Sequence, residues 1–90
     1  MPSRTVEMTN KRGLHARASA KFVTLAASLP PEVEIEVEKD GSRVCGTSIM
    51  GLMMLGAAYG DRITIHAEGE GAEEAMQALV DLVEARFGEE

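Results

Sequence analysis

The stretch EVEIEVEKDGSRV, residues 32–44, decides the fold. Val33, Ile35 and Val37 alternate with Glu34, Glu36 and Glu38. This period of two puts the apolar side chains on one face and the carboxylates on the other. A strand of that kind belongs to a sheet with one buried face and one solvated face. Lys39-Asp40-Gly41-Ser42 then turns the chain, because Asp-Gly accepts the left-handed backbone of a tight hairpin. Residues 43–45 are expected to return as the paired strand.

The same reading extends outward in both directions. Residues 5–8 form a short strand with Val6 and Met8 on one side. After Tyr59-Gly60-Asp61, Ile63, Ile65 and Ala67 alternate with Arg62, Thr64 and His66, a fourth strand whose His66 lies on the solvated side. Helical spacing of Ala18, Phe22, Leu25, Ala26 and Leu29 predicts a helix over residues 16–28, ended by Pro30 and Pro31. A short helix follows Ser48 and finishes near Gly56. The last helix spans residues 72–87, with a buried stripe of Met76, Leu79, Val80, Val83 and Phe87. Glu73 and Glu74 stand where its amino-terminal dipole favours them. The segment GEGAEE before it carries too many acids to hold phosphate and reads as a turn. The order β-α-β-β-α-β-α, with one polar sheet face, is that of an α+β two-layer sandwich, its sheet antiparallel or mixed and covered on one side.

Ninety residues make one domain, 1–90, burying roughly 60–65% of the unfolded surface. No apolar run reaches about 18 residues and the amino terminus lacks a secretory signal, so neither membrane insertion nor export is expected. Cys45 is alone, which excludes an internal disulfide and a Cys-rich zinc site; it reads as a small apolar strand residue. No metal-ligand cluster is visible, no cofactor is implied, and a cytosolic home follows. A formal net charge of −6 and 3% aromatic residues argue against a nucleic-acid binder, which needs a broad basic face or stacking platforms.

Against that acidity, NKRGLHARASAKF (residues 10–22) gathers Lys11, Arg12, Arg17 and Lys21 around His15, with no Asp or Glu from Thr9 to Pro31. His15 occupies the cap position of the first helix, where Ser, Thr, Asp or Asn would be the usual choice. Its unprotonated ring nitrogen can accept from the free amides there. The positive potential of the helix start disfavours a second ring proton, leaving a neutral nucleophilic imidazole. Arg17 in the first turn opposes the dipole at a cost of a few tenths of a kcal/mol, an arrangement that suits a visiting anion. A phosphoryl group on His15 could accept from the amides of Ala16 and Arg17 and from the Arg17 guanidinium. Gly13 leaves room around the ring. Taken alone, these residues define an anion site with a candidate nucleophile.

GLHARASAKFV (residues 13–23) closely resembles the active-site segment of the HPr family, the histidine-containing phosphocarriers of the phosphoenolpyruvate-dependent phosphotransferase system. TSIMGLMMLGA (residues 47–57), the chain length and the element order match as well. The resemblance implies an open-faced β-sandwich with three helices on a four-stranded antiparallel sheet. It further implies that His15 takes a phosphoryl group on its δ nitrogen from enzyme I and passes it to a downstream IIA-type acceptor, and that Arg17 steadies it. Such a protein is a stoichiometric carrier, not an enzyme, and a monomer. Ala18 departs from the proline usual after this arginine; alanine-serine versions resemble carriers of regulatory, nitrogen-related chains.

Ser48 is a natural N-cap for the helix that follows. In one branch of the family the matching serine of Ser-Ile-Met-Gly is phosphorylated by an ATP-dependent HPr kinase/phosphorylase. Residues 49–55 are apolar apart from Gly51, and a short surface helix buries only one stripe. Leu52 and Leu55 are expected inward, which leaves some of Ile49, Met50, Met53 and Met54 exposed. The resemblance implies that Ile49, Met50 and Met53 dock partner proteins. Two other readings of the residues remain open. One is an acylphosphatase-like hydrolase, for which Asn10 is the only asparagine available; the other is a module that senses a small anion.

Overall fold

The structure, a computed structural model of the chain, describes residues 2–89. It contains β1 (Ser3–Glu7), α1 (Ala16–Ala27), β2 (Glu34–Lys39), β3 (Ser42–Cys45), α2 (Ile49–Met54), β4 (Arg62–Glu68) and α3 (Ala72–Glu84). A short 3₁₀ turn, Arg86–Gly88, follows α3.

The hairpin that organises the sequence is present in its tightest form. Lys39 pairs with Ser42 across a two-residue loop whose members, Asp40 and Gly41, both have positive φ (51° and 85°). Such a turn matches the right-handed twist of the strands it joins. The sheet runs β1-β4-β2-β3, antiparallel at every pairing. Ile35 and Val37 on β2 and Ile63, Ile65 and Ala67 on β4 turn inward, while Glu34, Glu36 and Arg62 face water. Ala18 and Phe22 from α1, Leu52 from α2 and Met76, Leu79, Val80 and Val83 from α3 cover that inner face as one core. Fully burying a side chain of the Val, Leu, Ile, Phe or Met type contributes about 1.5–3 kcal/mol, so this layer carries the stability. The three helices therefore lie on one side and the acidic face stays bare.

Several expectations shift. β1 starts two residues earlier than the pattern indicated and ends at Glu7; Met8 stays buried beyond the strand, its N–H bonded to the Asp61 carbonyl at 2.8 Å. α3 ends at Glu84 rather than Phe87, because Arg86 and Phe87 adopt left-handed backbone (φ 58° and 55°), which cannot continue a right-handed helix. Phe87 nevertheless keeps its place in the core, with its ring fully buried and its carbonyl accepting from Lys21 Nζ at 2.6 Å. Cys45 lies on a strand but is exposed: Val44 takes the inward position opposite Val37, so its neighbour must point outward, where its Sγ meets Thr47 Oγ1 at 3.1 Å. His66 is only half solvated, its Nε2 lying 2.8 Å from Glu38 Oε1 on the next strand.

Candidate functional site

The approach to α1 is clamped rather than loose. Met8 accepts from the Gly60 N–H at 2.8 Å, and the Leu14 N–H donates to the Ala57 carbonyl at 2.9 Å. Gly13 has φ +62°, and a Cβ there would collide with the Ala57 carbonyl oxygen. Its role is thus close backbone approach, not the open space beside the ring expected from sequence. Asn10 is fully buried beneath this turn; its Nδ2 donates to the Gly13 carbonyl at 2.8 Å and to Glu89 Oε1 at 3.1 Å. Its Oδ1 has no hydrogen-bond partner among the described residues.

That platform seats His15 as the N-cap of α1. Its backbone is extended (φ −72°, ψ 179°) and its carbonyl accepts the first helical bond from Ser19 at 2.9 Å. The ring Nδ1 accepts from the Arg17 N–H at 3.3 Å, and Nε2 stands 2.6 Å from Glu89 Oε2. Since Nδ1 accepts a hydrogen bond from the backbone, it carries a lone pair, and the ring proton sits on Nε2, which donates to the carboxylate. The His15 side chain is 18% exposed, enough to be reached from solvent.

The sequence window around His15 is free of acids, yet the folded site is not. Glu89 arrives from 74 residues away, carried by the left-handed turn at Arg86 and Phe87. Burial pushes its carboxyl up, but the hydrogen bonds from Asn10 and His15, with the positive charge of Lys21 nearby, outweigh this and hold it below the usual carboxylate range. Lys21, counted in sequence among the cations around the ring, spends its ammonium on the Phe87 carbonyl instead. Arg17 is exposed in the first turn of α1, and among the described residues its guanidinium makes no hydrogen bond or ion pair; Lys11 and Arg12 are likewise exposed. The amides of Ala16 and Arg17 open the helix beside Nδ1.

Ser48 caps α2 with Oγ accepting from the Gly51 N–H at 2.9 Å. Leu52 is buried and Leu55 partly so. Ile49, Met50, Met53 and Met54 are all exposed, Met54 by 80%, and Tyr59 joins them on the surface. α2 packs against α1, so this apolar surface and the His15 turn belong to one side of the molecule. Asn10 and Glu89 escape sequence reasoning as parts of the site. The signal for Asn10 is its status as the lone asparagine just before the basic turn; Glu89 has no local signal at all.

The family model of the PTS HPr component phosphorylation site matches residues 2–85. The chain belongs to the HPr family. It is 51% identical over 89 residues to the phosphocarrier protein HPr of Neisseria meningitidis, covering 99% of this chain and 98% of the relative. It is 46% identical to the HPr of Pseudomonas aeruginosa over the same shares. The crystal structure of HPr-C-His from Thermoanaerobacter tengcongensis superposes with a TM-score of 0.93 at 49% identity, covering 100% of this chain and 99% of the other. HPr proteins are phosphocarriers of the phosphotransferase system, and the four-stranded open sheet with three helices is their fold. Among the described residues, no helix is long and apolar enough to cross a membrane.

Proposed function

We propose that this single HPr domain works as a cytoplasmic, monomeric phosphocarrier that accepts a phosphoryl group from phosphorylated enzyme I on Nδ1 of His15 and delivers it to a IIA-type acceptor. The observation that carries the reading is the aim of Nδ1: its lone pair faces the amide of Arg17 at an open helix start. A phosphoryl group on Nδ1 would lie at the positive end of α1, with the amides of Ala16 and Arg17 and the free Arg17 guanidinium as donors. Transfer needs little more from the protein than position and positive charge. The Nδ1 lone pair forms the new N–P bond in line with the donor nitrogen, whose N–P bond breaks and returns its electron pair to the donor ring. The reverse exchange, with the acceptor's histidine, discharges the carrier, so no turnover occurs on this chain alone.

The exposed Ile49, Met50 and Met53 supply an adaptable apolar surface beside that site, suited to successive partners. Ser48, half-buried, is the proposed target of HPr kinase/phosphorylase. A phosphate at this N-cap is tolerated by the helix and adds about two negative charges to the docking surface, weakening transfer from enzyme I. The Ala18-Ser19 pair supports a regulatory, nitrogen-related branch.

Incubation with phosphoenolpyruvate and enzyme I tests the proposal. One acid-labile phosphoryl group per chain is expected, absent from His15→Ala and acquired more slowly by folded Arg17→Ala. Labelling that persists in His15→Ala protein, or a wild-type chain that gains none, overturns it. ATP with the cognate kinase is expected to label Ser48, and unchanged transfer after that modification would remove the regulatory assignment.

A further inference from the structure

Glu89 makes a contact that phosphoryl acceptance by His15 does not require, and it is held there by three separate devices. Asn10, buried and donating to the other carboxylate oxygen, fixes the carboxylate from below at 3.1 Å. Lys21 ties down the carbonyl of Phe87, two residues earlier. The Phe87 ring anchors the same turn in the core, although the turn places two consecutive non-glycine residues in left-handed backbone. Such conformations cost about 1 kcal/mol or more each and persist only where the surroundings impose them. A carboxylate is thereby delivered to the far nitrogen of the reacting ring.

The consequence follows from the charge balance. Before transfer the ring is neutral, with its proton on Nε2. When the Nδ1 lone pair becomes the N–P bond, both nitrogens are substituted and the ring takes on positive charge, while the donor ring loses it. The proton stays on Nε2, and the carboxylate 2.6 Å away is where that charge meets its counter-charge. We infer that Glu89 is a positioning residue for phosphoryl transfer, held by Asn10, which keeps the ring proton on Nε2 and favours the phosphorylated over the free form of His15. The inference rests on His15 as the phosphoryl acceptor.

Two variants separate charge from hydrogen bonding. Glu89→Gln keeps an acceptor for Nε2–H and loses the charge; Glu89→Ala loses both. The first readout uses unphosphorylated protein and needs no partner. The imidazole Nε2–H proton is expected to be visible by NMR, protected from exchange with water, in wild type and Glu89→Gln, and to vanish in Glu89→Ala. The second readout is the equilibrium constant for taking the phosphoryl group from enzyme I. It is expected to fall about tenfold in Glu89→Gln, the size of one partly exposed charge-assisted hydrogen bond, and at least as far in Glu89→Ala. A merely structural tether would not shift this equilibrium in a glutamine variant that keeps the fold. An unchanged equilibrium in Glu89→Gln, or an Nε2–H proton equally protected in Glu89→Ala, overturns the inference while leaving the carrier reading intact. Absence of any label on His15 in wild type would instead defeat the carrier reading, with the proton readout still judging whether Glu89 holds the ring.

Discussion

Two helices of this protein begin with a side chain folded back onto their own first turn, and they do it with different chemistry. At α2, Ser48 Oγ takes the Gly51 amide at 2.9 Å, a compact cap of the kind helices favour. At α1, His15 Nδ1 takes the Arg17 amide at 3.3 Å, a longer bond from a bulkier and poorer capping group. The serine site is built for stability, and the negative charge a phosphate would add there sits comfortably at a positive helix end. The histidine site forgoes part of that stability for a nitrogen lone pair turned toward the first turn of its helix, with Arg17 in that turn and a carboxylate on the opposite nitrogen. Where a helix start carries a poor cap and unpaired basic residues together, chemistry is the better explanation than folding.

The sharpest way to separate the two starts is to give α1 the cap of α2. His15→Ser is expected to abolish phosphoryl acceptance from enzyme I, a loss of at least about 10³-fold in labelling rate, because the nucleophilic nitrogen is gone. Its urea midpoint is expected to stay close to wild type, since serine caps at least as well as imidazole. A variant that unfolds would mean that the histidine is a structural keystone and that the two caps are not comparable in the way described.

The reciprocal change at α2 has a smaller effect of the opposite kind. Ser48→Ala is expected to lose about 1 kcal/mol of stability in urea unfolding, the usual value of a hydroxyl cap, with labelling of His15 retained. Equal stability of variant and wild type would show that the Gly51 amide is satisfied without the hydroxyl.

The smallest effect distinguishes the sites by pH. Glu89 has its carboxyl held below its ordinary value of 4.5 in the folded protein, so it binds fewer protons there than in the unfolded chain. Its contribution is fully present above that value and is lost as pH falls through the lower, folded value. The stability difference between wild type and Glu89→Gln is expected to be flat from neutrality down to about pH 5 and to shrink on further acidification. The difference between wild type and Ser48→Ala has no such source and stays level. Parallel acid profiles for the two pairs would contradict the assignment.

Legibility in the sequence followed the range of the interactions. The alternation in β2 and β4, the Asp40-Gly41 turn and the helical spacing of α1 and α3 are local signals, and the sheet, hairpin and helices lie where those signals put them. The His15 and Ser48 caps were readable for the same reason: each depends on a residue next to the helix it starts. Element ends were less so. Phe87 fits the helical stripe of α3 and is indeed buried, but it reaches the core from a left-handed turn that no local pattern announces. The carboxylate on His15 was invisible, since only the folded chain brings Glu89 and Asn10 to one ring. Gly13 was misjudged for a related reason, its neighbour being the carbonyl of Ala57 rather than anything in its own loop.

The most direct measurement is the position of the phosphorus on nitrogen-15-labelled protein charged with phosphoenolpyruvate and enzyme I. Phosphorus–nitrogen coupling is expected at Nδ1 of His15, with Nε2 still carrying its proton. Coupling at Nε2, or phosphate on any other side chain, would contradict a ring whose reactive lone pair faces the start of α1.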